Sequence, residues 1–289
     1  MQAYTVTYGN RGENHIGNQV IGADIPHGLG LDDFHRAAEE LAKGGVETSI
    51  VNLAEEAGIG NVPDVPAAFV MVIKNGVNVL TKGKFDTFKH EVTSKSMDDK
   101  ALMYGQVRNK HARHNCLFGP VAQSPNYEIG NGTVYAWSDN PTVNEFRRAA
   151  TALFHMNDVL AVAEVNHYYD LSKCGIGWHG DTERKIAIGV RIGASDEMPL
   201  LFRCHDNGKP IGSTVQINLA EGDVYIMCEL AVGYRWKTNG KHWRHAAGHE
   251  KYASDPMETW EKKQTAKARR SVKRAREDEY DFVPCDALM

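Results

Sequence analysis

The sequence predicts an α+β protein: an antiparallel sandwich or jelly roll of short strands, flanking helices, and an α/β extension at the N-terminus. Three observations carry this. From residue 162 onward the chain runs through short apolar segments, VAEVNHYY, RKIAIGVRIGA, PLLFRCH, STVQINL, DVYIMCEL and KHWRHAAG, each bounded by turn residues. Two segments, 32–43 and 141–160, carry helical spacing and end signals. The length of 289 residues holds one large domain or a domain with an elaborate N-terminal half.

In chain order, residues 1–60 mix glycine-rich loops with a helix from Asp32 to Lys43. Asp32 or Asp33 can cap it, Phe34, Ala37, Ala38 and Leu41 form its apolar face, and Gly44-Gly45 stops it. AAFVMVIKNGVNVLT, residues 67–81, predicts two strands paired around Asn75-Gly76. Residues 85–103 read as helix or irregular connector. Residues 104–140 bring Arg108, Lys110, His111, Arg113 and His114 into seven positions, with Tyr104, Tyr127, Tyr135 and Trp137 around them. Cations among aromatics suit stacking and phosphate contact, so this stretch is expected to be a substrate lid. Pro141 opens the next helix, with Phe146, Ala150, Leu153 and Phe154 on its apolar side. The tail carries eight Lys/Arg and no acid from Lys262 to Arg276, then turns acidic at Glu277-Asp278-Glu279. The expected division is therefore 1–100, a core at 101–255 with its lid at 104–140, and a tail at 256–289.

Composition excludes several classes. A hydrophobic content of 42% and a charged content of 24% are ordinary for a globular chain. With a net charge of −4, nucleic-acid contact has to come from local patches. Cys116, Cys174, Cys204, Cys228 and Cys285 are odd in number and lack CxxC spacing, which argues against a disulfide framework or structural zinc. No signal peptide and no membrane-length apolar run is evident, so a cytoplasmic or nuclear location is expected.

The chemistry concentrates at His179-x-Asp181. Residues two apart on a strand point the same way and can share an ion. A third ligand must come from His205, His242, His245 or His249. His245 is favoured because Ala246-Ala247-Gly248 beside it leave room, whereas His242 falls on the opposite side of the strand. Two imidazoles and a carboxylate suit Fe(II) with open positions for a co-substrate and O₂.

Further along one long cation stands among small residues. In IAIGVRIGA, Ile186, Ile188, Val190 and Ile192 form one face, and Ala187, Gly189, Arg191 and Gly193 the other. A buried arginine there needs an anionic partner, either a ligand carboxylate or an internal Asp223 or Glu229.

His179-x-Asp181, the distal His245, the upstream Asn166-x-Tyr168 and the short-strand half together resemble the Fe(II)/2-oxoglutarate dioxygenases, most closely the AlkB-like branch. There a segment of the type N-x-Y…IGWHSDDE is matched here by Asn166-His-Tyr168 and Gly175-Ile-Gly-Trp-His179-Gly-Asp181-Thr-Glu183. The likeness covers roughly residues 101–255. It implies a double-stranded β-helix (jelly-roll) core, iron held by His179, Asp181 and His245, and 2-oxoglutarate hydrogen-bonded by Asn166 and Tyr168. The implied reaction converts 2-oxoglutarate and O₂ to succinate and CO₂ while hydroxylating a C–H bond; on an N-methyl group it releases formaldehyde. The family pattern also places an arginine, in an N-x-T-F-R setting, shortly after the distal histidine. Here AAGHEKYASDPMETW follows instead. Arg191 is the favoured substitute for holding the distal carboxylate, with Lys251 and Arg244 as the other candidates. For an alkylated or methylated nucleobase in DNA or RNA, Arg108, Lys110 and Arg113 would grip the backbone and Tyr127, Tyr135 or Trp178 would stack. Trp178 can equally be core, and Glu183 can accept a substrate hydrogen bond or pair with a neighbour. The alternatives are a hydroxylase of protein side chains or small molecules, and a binding module with a non-catalytic triad.

Overall fold

The computed structural model describes residues 1–194 and 197–280, with side chains as far as Arg270. The strands run β1 (Ala3–Gly9), β2 (Arg11–Glu13), β3 (Val20–Gly22), β4 (Thr48–Asn52), β5 (Phe69–Ile73), β6 (Lys100–Met103), β7 (Gln106–Asn109) and β8 (His114–Gly119). They continue as β9 (Val134–Ala136), β10 (Val162–Tyr168), β11 (Gly175–His179), β12 (Ala187–Gly193), β13 (Leu200–Asp206), β14 (Lys209–Ile217), β15 (Val224–Met227) and β16 (Lys241–Gly248).

Eight strands form a large sheet in the order β4-β5-β15-β12-β1-β10-β8-β9, and four form a smaller one in the order β11-β16-β13-β14. Pairing is antiparallel except between β8 and β9. From β10 onward the chain passes repeatedly between the two sheets. Val190 and Ile226 of the large sheet share one core with Phe202 and Trp243 of the small one. The central strands of the large sheet are buried on both faces, because helices cover the side that the small sheet does not. This is the α+β architecture that the strand spacing predicts.

The position of β1 was not legible in the sequence. It lies between β12 and β10, with Thr5 opposite both Arg191 and Asn166. Residues 1–100 also supply β4 and β5 to the same sheet. They are therefore not an extension set apart from a core beginning at 101.

Local chemistry accounts for the flanking elements. The helix Leu31–Lys43 buries Phe34, Ala37 and Leu41 and ends at Gly44. Asp33 is not its N-cap residue but reaches back to accept the Gly30 N–H at 2.9 Å. The helix Pro141–Leu153 buries Val143, Phe146 and Ala150, and the Glu91 carboxylate accepts the N–H groups of Thr142 and Val143 at its start. Residues 85–103 give the helix Phe85–Thr93 and then β6.

The hairpin expected around Asn75-Gly76 does not form. Both edges of β5 are already paired, with β4 and β15, so residues 77–81 have no free edge to join. They turn into a short helix, Gly76–Leu80, led by Asn75 in a left-handed conformation with its N–H on Asp223 Oδ1 at 2.9 Å. The expected lid at 104–140 also breaks up. Only the β6–β7 hairpin and the segment 110–113 stand outside the large sheet before β8 enters it, and β9 joins that sheet beyond. The tail forms the helix Pro256–Tyr280, and its basic residues through Arg270 are exposed. Residues 281–289, including Cys285, lie outside the described residues; the other four cysteines are free and buried. Among the described residues no helix is long and apolar enough to cross a membrane.

Candidate functional site

The pairing of β11 with β16 places His179 directly opposite His245. Asp181 lies just past the end of β11, and its N–H donates to the Val232 carbonyl at 3.0 Å, which turns its carboxylate back toward both rings. Gly180 between them is obligatory on space alone. A Cβ there would fall 2.3 Å from the Gly233 carbonyl oxygen and 2.7 Å from the Trp236 ring.

One ligand atom from each of His179, Asp181 and His245 lies within 4.8 Å of the others. Asp181 Oδ1 is 3.4 Å from His179 Nε2 and 3.5 Å from His245 Nε2. Adjacent ligands ~2.1 Å from a shared ion would be about 3 Å apart, so small adjustments suffice. His179 Nδ1 donates to the Gly177 carbonyl at 2.7 Å. In the neutral ring this leaves the Nε2 lone pair facing a carboxylate oxygen, an arrangement that a shared cation relieves.

Electrostatics reinforce that geometry. Burial alone would raise the Asp181 carboxyl, but Arg184 and the two imidazoles outweigh it and hold the group well below the ordinary carboxylate range. Burial, and then the neighbouring His179, lowers His245, which keeps its ring neutral. Arg184 is itself buried and spans Asp181 at 3.3 Å, Glu183 at 2.7 Å and Glu164. The other histidines lie elsewhere: His205 and His242 stack on each other, and His249 Nδ1 caps Lys251 N–H.

The triad opens into a cavity of about 490 Å³. Arg191, 1% exposed, lines the same cavity. One of its terminal nitrogens donates to Thr5 Oγ1 at 3.0 Å, and its Nε has no hydrogen-bond partner among the described residues. Burial depresses its guanidinium, and only the phenols of Tyr225 and Tyr168 oppose this. The internal partners considered from the sequence are committed elsewhere. Asp223 pairs with Lys74 at 2.9 Å, and Glu229 accepts the Gly28 N–H. Gly189 beside Arg191 is small because the Tyr225 ring fills its place; a Cβ would sit 2.0 Å from that ring.

Five of the eight buried side-chain atoms without a hydrogen-bond partner among the described residues belong to residues lining this cavity: Asn14 Oδ1, Arg184 Nη1, Arg191 Nε, Trp236 Nε1 and His245 Nδ1. Orphaned polar atoms are uncommon in folded proteins, and here they gather in the wall of one cavity.

Of the residues singled out from the sequence, Asn166, Tyr168, Lys110, Arg113, Trp178 and Glu183 also line the cavity. Asn166 Oδ1 accepts from Arg113 Nε at 2.6 Å and its amide donates to Glu164. Trp178 donates its indole N–H to the Ser254 carbonyl at 2.8 Å. Others fall away from it. Lys251 is exposed over the Tyr252 ring. Arg244 neighbours His245 on β16 and so points to the other face, over the Trp236 ring at 4.9 Å with its Nε on His242. Tyr127 bonds Asp98 and Tyr135 bonds the Ser96 carbonyl, both outside the cavity. Arg108 is exposed on β7, whereas Lys110 is buried against Asn115 and the Asn14 carbonyl and cannot meet an external backbone. Thr5, Glu13, Arg184, Tyr225 and Trp236 escaped the sequence reading. Alternating hydroxyls in TVTY and an arginine three residues after Asp181 were the available signals.

No family model matches the chain. It is 35% identical over 252 residues to an uncharacterized protein of Acanthamoeba polyphaga mimivirus, a match covering 87% of this chain and 97% of that protein. The chain belongs to that protein's family. The match is longer than residues 101–289, so the likeness extends into the first hundred residues, the part that contributes β1.

Proposed function

We propose that the protein is an Fe(II)- and 2-oxoglutarate-dependent dioxygenase acting on a modified nucleobase. The observation that carries this reading is the coincidence, in one cavity, of a two-histidine, one-carboxylate cluster and an arginine that has no acidic partner among the described residues. The donor set suits Fe(II), and the arginine suits the far carboxylate of a dicarboxylic co-substrate. Iron bound there would supply the oxidative decarboxylation of 2-oxoglutarate coupled to hydroxylation of a substrate C–H bond.

In this reading His179, Asp181 and His245 hold the metal while Arg184 keeps the Asp181 carboxylate ionised. Arg191 and Thr5 take the distal carboxylate, and Tyr168 and Tyr225 wall the chamber against water. Arg113 and Asn166 lie bonded together on the cavity lining, where they orient the co-substrate.

The strand order supports a double-stranded β-helix in which β1 occupies the position of a strand after β16. That explains why no N-x-T-F-R segment follows His245: the strand completing the pocket comes from the N-terminus. Indoles of Trp178 and Trp236 at the cavity, with the exposed Arg108 hairpin and the exposed Lys262, Lys263, Lys267, Arg269 and Arg270, favour a nucleic-acid substrate.

The test is Fe(II)-dependent formation of succinate from 2-oxoglutarate with methylated oligonucleotides, followed by mass spectrometry of the bases. Turnover in the wild type and its loss in His179→Ala are expected. Absence of succinate with metal and co-substrate supplied, or turnover unaffected by the substitution, overturns the reading.

A further inference from the structure

We propose that Arg203 and Arg244 form a phosphate subsite on the outer face of the small sheet, which holds the backbone of a nucleic-acid substrate beside the base that enters the cavity. This rests on the nucleobase dioxygenase reading and names the path by which its substrate strand leaves the cavity. β16 pairs with β13 so that Arg244 stands directly opposite Arg203, on the face turned away from His245. Like charges facing each other across a strand pair destabilise a sheet, and Arg203 is only 7% exposed, so water screens this pair poorly.

No acid compensates them. Arg203 donates from one terminal nitrogen to Thr214 Oγ1 at 3.2 Å and leaves its Nε buried without a partner. Arg244 Nε donates to His242 Nε2 at 3.1 Å. Among the described residues neither guanidinium forms an ion pair, and Asp206, further along β13, faces Lys241 at 3.9 Å. The rings of His205 and His242 stack beside the pair. Burial, then the charge of Arg244, pushes the His205 ring down to about 3, and Arg203 works in the same direction. Two guanidiniums thus converge on neutral imidazoles, a cluster that an anion stabilises.

A second observation links this face to the cavity. β11 ends at His179, opposite His245, so the loop 233–240 rather than a strand borders β16 from Lys241 to Arg244. Trp236 of that loop lines the cavity, and its indole carries Arg244 at 4.9 Å and the exposed Lys237 at 5.5 Å. An aromatic post between the triad and a set of cations suits a ligand of alternating bases and phosphates. On the far side of β13, Lys209 of β14 lies over the Trp260 ring of the helix Pro256–Tyr280 at 5.4 Å, and the exposed basic residues of that helix follow. Planar guanidiniums match phosphoryl oxygens, and the interleaved indoles favour a nucleic acid over a phosphorylated peptide.

The test is binding of a short single-stranded oligonucleotide with one N6-methylated adenine to full-length protein loaded with Mn(II) and 2-oxoglutarate, at several salt concentrations. Arg244→Gln and Arg203→Met are each expected to weaken binding by ~10-fold at low salt. Each should also lower the slope of log affinity against log salt by about 1, whereas Arg244→Lys keeps the slope. The loss is the same for the unmethylated oligonucleotide, because a phosphate contact carries no base identity. The melting temperature of the ligand-free protein should not fall in Arg203→Met, since a like-charge pair is relieved. Unchanged affinity and slope in both variants, a lower melting temperature in Arg203→Met, or tighter binding of a phosphoserine peptide than of the oligonucleotide overturns the subsite. Binding of 2-oxoglutarate to the same Mn(II)-loaded protein is the separate readout. It is unchanged in Arg244→Gln, and its absence from the wild type sinks the dioxygenase reading instead. Wild-type protein that binds 2-oxoglutarate but no oligonucleotide removes the nucleobase substrate and this subsite together.

Discussion

The two ends of the cavity treat buried charge in opposite ways. Around the triad, Asp181, Glu164 and Glu183 converge on Arg184, and two imidazoles approach Asp181 within 3.5 Å. At the other end Arg191 is more deeply buried than any of these, yet among the described residues it meets one hydroxyl and two phenols and no acid. A charge network that closes on itself can be structural. A buried cation with no counter-ion destabilises the fold unless something anionic joins it. The contrast teaches that the Arg191 end, rather than the triad, carries the sharper demand for a ligand.

The harshest way to break this comparison is to remove a proposed metal ligand. Asp181→Ala is expected to weaken Mn(II) or Fe(II) binding and lower succinate formation by ~100-fold or more, measured by metal titration and product assay. Arg191→Met should weaken 2-oxoglutarate binding by ~30-fold or more while leaving metal affinity unchanged. The same change should raise the melting temperature of the ligand-free protein, because an unpaired buried charge gives way to an apolar chain of similar size. A fall in melting temperature would show that Arg191 has a structural partner after all. Thr5→Val sharpens the point more gently: ~5- to 10-fold weaker co-substrate binding by calorimetry, with the metal site intact.

Protonation probes Glu13 on the cavity lining. The Glu13 carboxyl is raised from 4.5 to about 7, so the folded chain holds a proton that the unfolded chain has released between those values. Its contribution therefore favours folding below about pH 4.5 and turns against it as pH rises toward 7. The unfolding free energy of the wild type minus that of Glu13→Gln should decline across this window in urea titrations at successive pH values. The smallest effect belongs to the two cations that fall outside the cavity. Lys251→Ala and Arg244→Ala should change the 2-oxoglutarate requirement by less than about twofold, in contrast to Arg191→Met.

Much of the triad was readable because His179 and Asp181 stand two residues apart and the small residues after His245 mark a strand with room beside it. That the Asp181 carboxylate faces both rings was not readable, because Asp181 lies beyond the end of β11 and is turned by its N–H bond to the Val232 carbonyl. The fate of 77–81 was not readable, because the Asn75-Gly76 signal is local while the competition for the edges of β5 is not. Lys251 and Arg244 were misread for a similar reason. Nearness to His245 along the chain says little about which way a side chain faces.

The sequence by itself determined most of the element types, 77–81 apart, the identity of the metal-ligating candidates and the oddity of an arginine on a small-residue face. These follow from periodicity and from the chemistry of single side chains. Only the tertiary structure decided that β1 runs between β12 and β10, bringing Thr5 to Arg191 and, just beyond it, Glu13 to Glu183. Strand pairing across the length of the chain depends on which edges are left open once every other strand is placed, and no local pattern encodes that.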